Sequence, residues 1–187
     1  GYGGAIDTRG QSLTITDSIF DSNSAKFGGA ISCFESCAFN SSQFKDNNAT
    51  FYGGALYLRN SSLDVTYSDF INNESRLGGA LFTQDSSFTV ERSDFSNNQS
   101  MLGEAIYPQK SSVSIDDSIF RDNVASSQGG AIRTLGGSMQ ISNSEIVGNQ
   151  SVYGCGLNLY DTDTEIKGSA IIFNKNSRSE GDQIHAN

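Results

Sequence analysis

The chain has 187 residues, of which Ser (30), Gly (20) and Asn (16) supply more than a third, and its formal net charge is −9 at pH 7. That charge argues against nucleic acid as a partner, which requires basic patches. No apolar run approaches the ~20 residues of a membrane helix, and neither a signal segment nor an initiator Met is present, so a mature chain or an excised piece is expected.

Read from its first residues onward, the chain repeats itself. Gly-Gly-Ala-Ile stands at Gly3–Ile6 and returns at Gly28–Ile31, Gly53–Leu56, Gly78–Leu81, Gly103–Ile106, Gly129–Ile132 and Gly154–Leu157. A degenerate eighth start lies at Gly181. A second tetrad keeps the same beat: Phe20…Asn23, Phe44…Asn47, Phe70…Asn73, Phe95…Asn98 and Phe120…Asn123, followed by Ile146…Asn149 and Ile171…Asn174.

Aligned on this tetrad, the copies form columns. Two residues before the Phe is always Ser: Ser18, Ser42, Ser68, Ser93, Ser118, Ser144, Ser169. Five before it stand Ile15, Phe39, Val65, Val90, Ile115, Ile141 and Ile166, and seven before it Leu13, Cys37, Leu63, Phe88, Val113, Met139 and Thr164. The residues between these columns vary freely. This is the period-two alternation of short strands, about three per repeat.

A unit of ~25 residues cannot bury its own inner face, but stacking identical columns can. The expectation is a single all-β domain, 1–187: a right-handed parallel β-helix of seven coils plus the degenerate eighth, with coils ~4.8 Å apart and a rod on the order of 35 Å long. The Asn column (Asn23, Asn47, Asn73, Asn98, Asn123, Asn149, Asn174) fits a corner where stacked amides bond along the rod. The glycine pair fits a corner needing positive φ or a close backbone approach.

The Gly-Gly-Ala-(Ile/Leu) and Phe-x-x-Asn pair resembles the repeats of the chlamydial polymorphic outer membrane proteins and of related repeat-rich surface proteins of algae and protists. The resemblance covers the whole chain and implies a β-helix in a surface-exposed adhesive or structural protein. Departures are Glu104, Cys155-Gly156 and the Ile residues at 146 and 171.

Cys33 and Cys37 fall in inward columns on either side of a corner one residue shorter than its counterparts, which suits either a disulfide or two buried thiols. Cys155, five coils away, is out of reach of both and is read as a core thiol or an intermolecular partner. Asn-x-Ser/Thr occurs six times. Asn73, Asn98 and Asn149 sit in the ladder column, so Asn40, Asn48 and Asn60 are the glycosylation candidates.

Sugar-cleaving chemistry needs converging carboxylates on one exposed face. The only acidic doublet is Asp116-Asp117, and Asp161, Asp163 and Glu165 cluster in the last coil without a recurring Arg or His. There is no phosphate loop and no metal-spaced His or Cys cluster; His185 is read as a tail residue. The sequence predicts no catalysis, no cofactor and no metal.

Four residues after the first Gly of each pair runs the column Asp7, Ser32, Tyr57, Phe82, Tyr107, Arg133, Asn158. Its parity puts it outward, so Tyr57, Phe82 and Tyr107 are expected to form an exposed aromatic strip suited to sugars or a protein partner. A second outward column holds Arg9, Phe34, Arg59, Gln84, Gln109, Leu135 and Tyr160. The expected function is a non-catalytic structural or adhesive rod, extracellular or at the cell surface. Its partners would be itself, joined head to tail into a filament, or flanking coils of the same parent chain. A glycan- or protein-binding segment of a larger adhesin and a polysaccharide-active enzyme are the alternatives.

Overall fold

The computed structural model describes residues 1–103, 105–176 and 184–186, and its described residues are strands and corners without helix. Glu104 and the Gly181 start lie outside the described residues. All strand pairing is parallel, and each strand pairs with its counterpart one repeat away. The chain therefore winds as a β-solenoid of seven coils with three sheets.

The coils hold more strands than the expected three. Coil 3, for example, contains Leu56–Arg59, Ser62–Thr66, Asp69–Ile71 and Glu74–Leu77. The first two belong to one bent twelve-stranded sheet, and the other two to separate seven-stranded sheets. In coils 5 to 7 the bend is absorbed into single strands, Ile106–Asp116, Ile132–Ser142 and Leu157–Lys167. A left-handed residue stands at this bend in both kinds of coil, Asn60 and Asp85 in coils 3 and 4 and Lys110, Gly136 and Asp161 in coils 5 to 7.

The inward columns stack as read. Phe20, Phe44, Phe70, Phe95 and Phe120 form a continuous ring column with centroids 5.0, 4.7, 4.5 and 4.8 Å apart and planes within 10° of parallel. Ile146 and Ile171 continue it in register. The Ile15 and Leu13 columns close the same core, so apolar contact is renewed at every coil.

Polar corners are held by two ladders. Along the Asn column each side-chain Nδ2 donates to the Oδ1 of the Asn one coil later at 2.9–3.0 Å. The same Oδ1 accepts the earlier Asn's backbone N–H, and from Asn47 on each Nδ2 also donates to the carbonyl of the Phe or Ile of the preceding coil. Asn47, Asn73, Asn98, Asn123 and Asn149 are fully buried, and this is why the burial is tolerated: their amide capacity is satisfied along the rod.

The Ser column does the equivalent at the next corner. Each backbone N–H from Ser18 to Ser144 donates to the hydroxyl one coil later, which itself donates to a carbonyl two residues back. Before both ladders stands a residue at positive φ, such as Tyr67 (49°) or Asn72 (55°), which turns the chain sharply enough to aim the next side chain inward.

The glycine pair divides the two roles read for it. Gly28, the first of its pair, adopts φ 59°, while a Cβ on Gly29, the second, would sit 2.0 Å from the Gly54 carbonyl oxygen of the next coil. In coil 2, Cys33 and Cys37 are joined by a disulfide across the shortened corner, with Cα atoms 6.4 Å apart, and Cys155 is a buried free thiol.

Candidate functional site

The Gly pair bends the chain so that the residue before it and the residue four after its first Gly face each other outside the main core. The first set is Tyr2, Phe27, Tyr52, Leu77 and Leu102; the second contains Tyr57, Phe82 and Tyr107. Together with Phe34 and Leu135 they pack as a second apolar cluster outside the main core. Tyr52 stacks on Phe82 at 4.6 Å, Tyr57 on Phe82 at 5.8 Å, and Phe82 meets Tyr107 edge-on at 5.6 Å.

This corrects the expectation of an exposed strip. Tyr57, Phe82 and Tyr107 do point away from the main core, but they are 4%, 2% and 3% exposed. The facing wall covers them, and burial pushes the Tyr57 phenol above its ordinary pKa. Parity along one strand assigns a side chain to a sheet face; it says nothing about a neighbouring sheet folded over that face. The signal was present in the column before the first Gly, apolar in the first five copies and not considered in the sequence reading.

The cluster gives way to polar residues at coils 6 and 7. In register with Tyr107 come Arg133 and then Asn158, while the facing wall continues as Gln128 and Tyr153. The Arg133 guanidinium lies 5.3 Å from the Tyr107 ring centroid, and its Nε is buried without a hydrogen-bond partner. Asn158 is 6% exposed, and Tyr160, in register with Leu135, is half exposed.

The chain matches the model of the right-handed β-helix region family over residues 4–177, from within the first repeat motif through the seventh. It belongs to that family. No curated protein and no solved structure matches this β-helix chain.

Elsewhere the β-helix carries a shallow trough of about 640 Å³ over the second limb of the bent sheet, lined among others by Ser62, Asp64, Thr89, Ser114, Gln140 and Asp163. Its polar groups bond to one another across coils: the Thr89 hydroxyl donates to Asp64 at 2.7 Å, and the Ser138 hydroxyl to that of Ser112 at 3.3 Å. At its margin, hydrogen bonds from Ser142 (2.6 Å) and Asn143 (3.0 Å) hold the Asp116 carboxyl below the usual carboxylate range. Asp117 instead pairs with Arg92 at 3.2 Å, and Arg92 also donates to the Tyr67 hydroxyl at 2.7 Å. In the last coil Glu165 pairs with Lys167 at 2.6 Å.

On the second sheet Asp69 and Asp94 stand in register on adjacent coils. Partial burial, and then the Asp94 charge, raise the Asp69 pKa, opposed by a hydrogen bond from Gln43 and by the Arg121 charge. Arg121 pairs directly with Asp94 at 2.8 Å. Of the sequon asparagines, Asn40, Asn48 and Asn60 are exposed, whereas Asn73, Asn98 and Asn149 are fully buried in the ladder. Asn40 Oδ1 accepts from the Thr66 and Ser41 hydroxyls, which leaves its Nδ2, the atom a glycan bonds, as accessible as those of Asn48 and Asn60.

Proposed function

We propose that this β-helix is a non-catalytic structural rod of an extracellular or cell-surface protein. The observation that carries the reading is the pair of side-chain ladders running through every coil: the recurrent polar side chains are engaged in stiffening the rod rather than in converging on a reacting centre. The Cys33–Cys37 disulfide favours an oxidising compartment, and the likeness of the repeats to those of chlamydial and protist surface proteins points the same way. Asn40, Asn48 and Asn60 are the positions at which a eukaryotic host would attach glycans.

A second reading, head-to-tail assembly, is favoured by the edge of coil 1. There Ile6–Thr8, Leu13–Thr16, Ile19–Asp21 and Ser24–Phe27 each pair on one side only, and Ile19 is 71% exposed. In this reading a second copy supplies the strands that pair with these.

The test is electron microscopy of the unfused chain over a concentration series, paired with incubation on neutral and acidic polysaccharides. Stiff particles and polysaccharides of unchanged length support the rod. Concentration-dependent filaments select the head-to-tail form. New reducing ends that disappear in Asp163→Asn would overturn the non-catalytic reading.

A further inference from the structure

We propose that rods of this chain dock side by side, the third sheet of one copy lying on the second sheet of another. In coil 3 the third sheet contains Glu74–Leu77 and the second Asp69–Ile71. The strands of the third sheet carry the cations Lys26, Arg76 and Lys175 and a single acid, Glu74. All four are exposed, and none makes an ion pair among the described residues. Phe51, Met101 and Val124 stand exposed among them.

The second sheet is the reverse. Its strands carry Asp21, Asp69, Asp94 and Glu145 against Lys45 and Arg121. The left-handed corners that bound it add Asp17, Asp46, Asp117 and Asp122 against Arg92. Eight acids against three cations give this face a charge of −5, more than half of the net −9 of the chain. Its three cations are already engaged: Lys45 with Asp21 and Asp46, Arg121 with Asp94, and Arg92 with Asp117 and Glu91. Asp17, Asp69, Asp122 and Glu145 have no ion pair among the described residues, and Ile19, Ile119 and Ile172 are exposed beside them.

The shapes fit as well as the charges. A groove of about 570 Å³ runs along the third sheet over coils 2 to 5, lined among others by Asn48, Glu74, Arg76, Gln99, Met101 and Val124. The second sheet offers a single outward row, Ile19, Gln43, Asp69, Asp94, Ile119 and Glu145, one side chain per coil. Both faces repeat at the strand spacing of ~4.8 Å, so a row that enters the groove at one coil meets it in the same register at the next. Isoleucines then lie on Met101 and Val124, and carboxylates reach the cations of the third sheet. A face of this height and strand width covers on the order of 400 Å² per partner, the size of a weak encounter held by complementary charge. The two patches differ, so the contact is heterologous and can recur from rod to rod. Asn48 stands in the groove, so a glycan there and the contact exclude each other. The inference is independent of whether the rods join end to end.

Sedimentation velocity of the unglycosylated full chain over a concentration series, at about 50 mM and about 500 mM salt, tests it. Self-association is expected in the submillimolar range at low salt, with a dissociation constant at least about tenfold higher at high salt. Arg76→Glu on the third sheet, and Asp122→Lys with Glu145→Lys on the second, are each expected to weaken association by about tenfold or more. These exposed positions lie mid-rod, in coils 3, 5 and 6, so stacking through coil 1 is not expected to respond to them. Mixing the two variants is expected to restore association, because each supplies the face that the other has lost. Circular dichroism checks that each variant is folded; should a reversal unfold, the neutral changes Arg76→Gln and Glu145→Gln decide, with the same direction of effect. A chain that stays monomeric at millimolar concentration in low salt overturns the proposal. So does association indifferent to salt or to either variant, or a mixture that stays monomeric.

Discussion

Asn73 Nδ2 donates to Asn98 Oδ1 at 3.0 Å, and Asn98 Nδ2 in turn donates to Asn123 Oδ1 at 2.9 Å, so each amide is acceptor to the coil before it and donor to the coil after it. The ladder therefore has a direction, and its interior members differ energetically from its first.

Asn98→Ala leaves the Asn73 N–H without an acceptor, takes one of the two acceptors of Asn73 Nδ2, whose bond to the Phe44 carbonyl remains, and removes the side-chain donor to the Phe70 carbonyl. With each buried orphan costing about 1–3 kcal/mol, the variant should lose roughly 3 kcal/mol or more in urea denaturation. Asn23→Ala, at the edge coil, removes one donor whose acceptor keeps its backbone partner, and should cost about 1 kcal/mol or less. Equal losses would refute a ladder that shares its bonds along the rod.

Phe82→Ala should behave as a core substitution. The ring is 2% exposed between Tyr57, Tyr107 and Tyr52, so about 3–5 kcal/mol of stability is expected to go. An exposed aromatic would give a change within about 0.5 kcal/mol. The denaturation midpoint separates the two.

Thiol counting checks the cysteines. With no reductant, the denatured chain should show one reactive thiol, that of Cys155, and after reduction all three. Replacing Cys33 and Cys37 together by Ala should cost about 2 kcal/mol on the chain-entropy estimate for so short a loop. Three thiols without reductant would contradict the bond.

Asp69 predicts a pH dependence opposite to that of most carboxylates. Its folded pKa is raised by burial and by Asp94, so between the unfolded and folded values the native state binds more protons than the unfolded state. Stability from this group is then highest below the ordinary carboxylate pKa and falls as pH rises through the folded value. Asp69→Asn should melt higher than the parent at pH 7 and lose that advantage on acidification. A parent melting above the variant at pH 7 would show that the charged form is favoured in the fold.

The repeat determined much of this protein without coordinates. Seven registered copies require seven equivalent coils; inward Ile15-type and Phe20-type columns require one continuous core, and an unvarying Asn requires a corner at which an amide repeats. These are local and periodic properties, and periodicity survives in one dimension. The Ser column was equally visible, but its hydroxyl-to-N–H ladder depends on the left-handed residue before it, and positions such as Tyr67 and Arg92 carry no compositional sign of that conformation. Only the tertiary structure decided what the Tyr57 column faces. The alternation of its strand sends the column outward, and the Gly corner then folds the adjoining sheet so that Phe27, Tyr52 and Leu77 close over it. The direction of a side chain is set by its own strand; whether water reaches that side chain is set by the angle between sheets, which no single repeat contains.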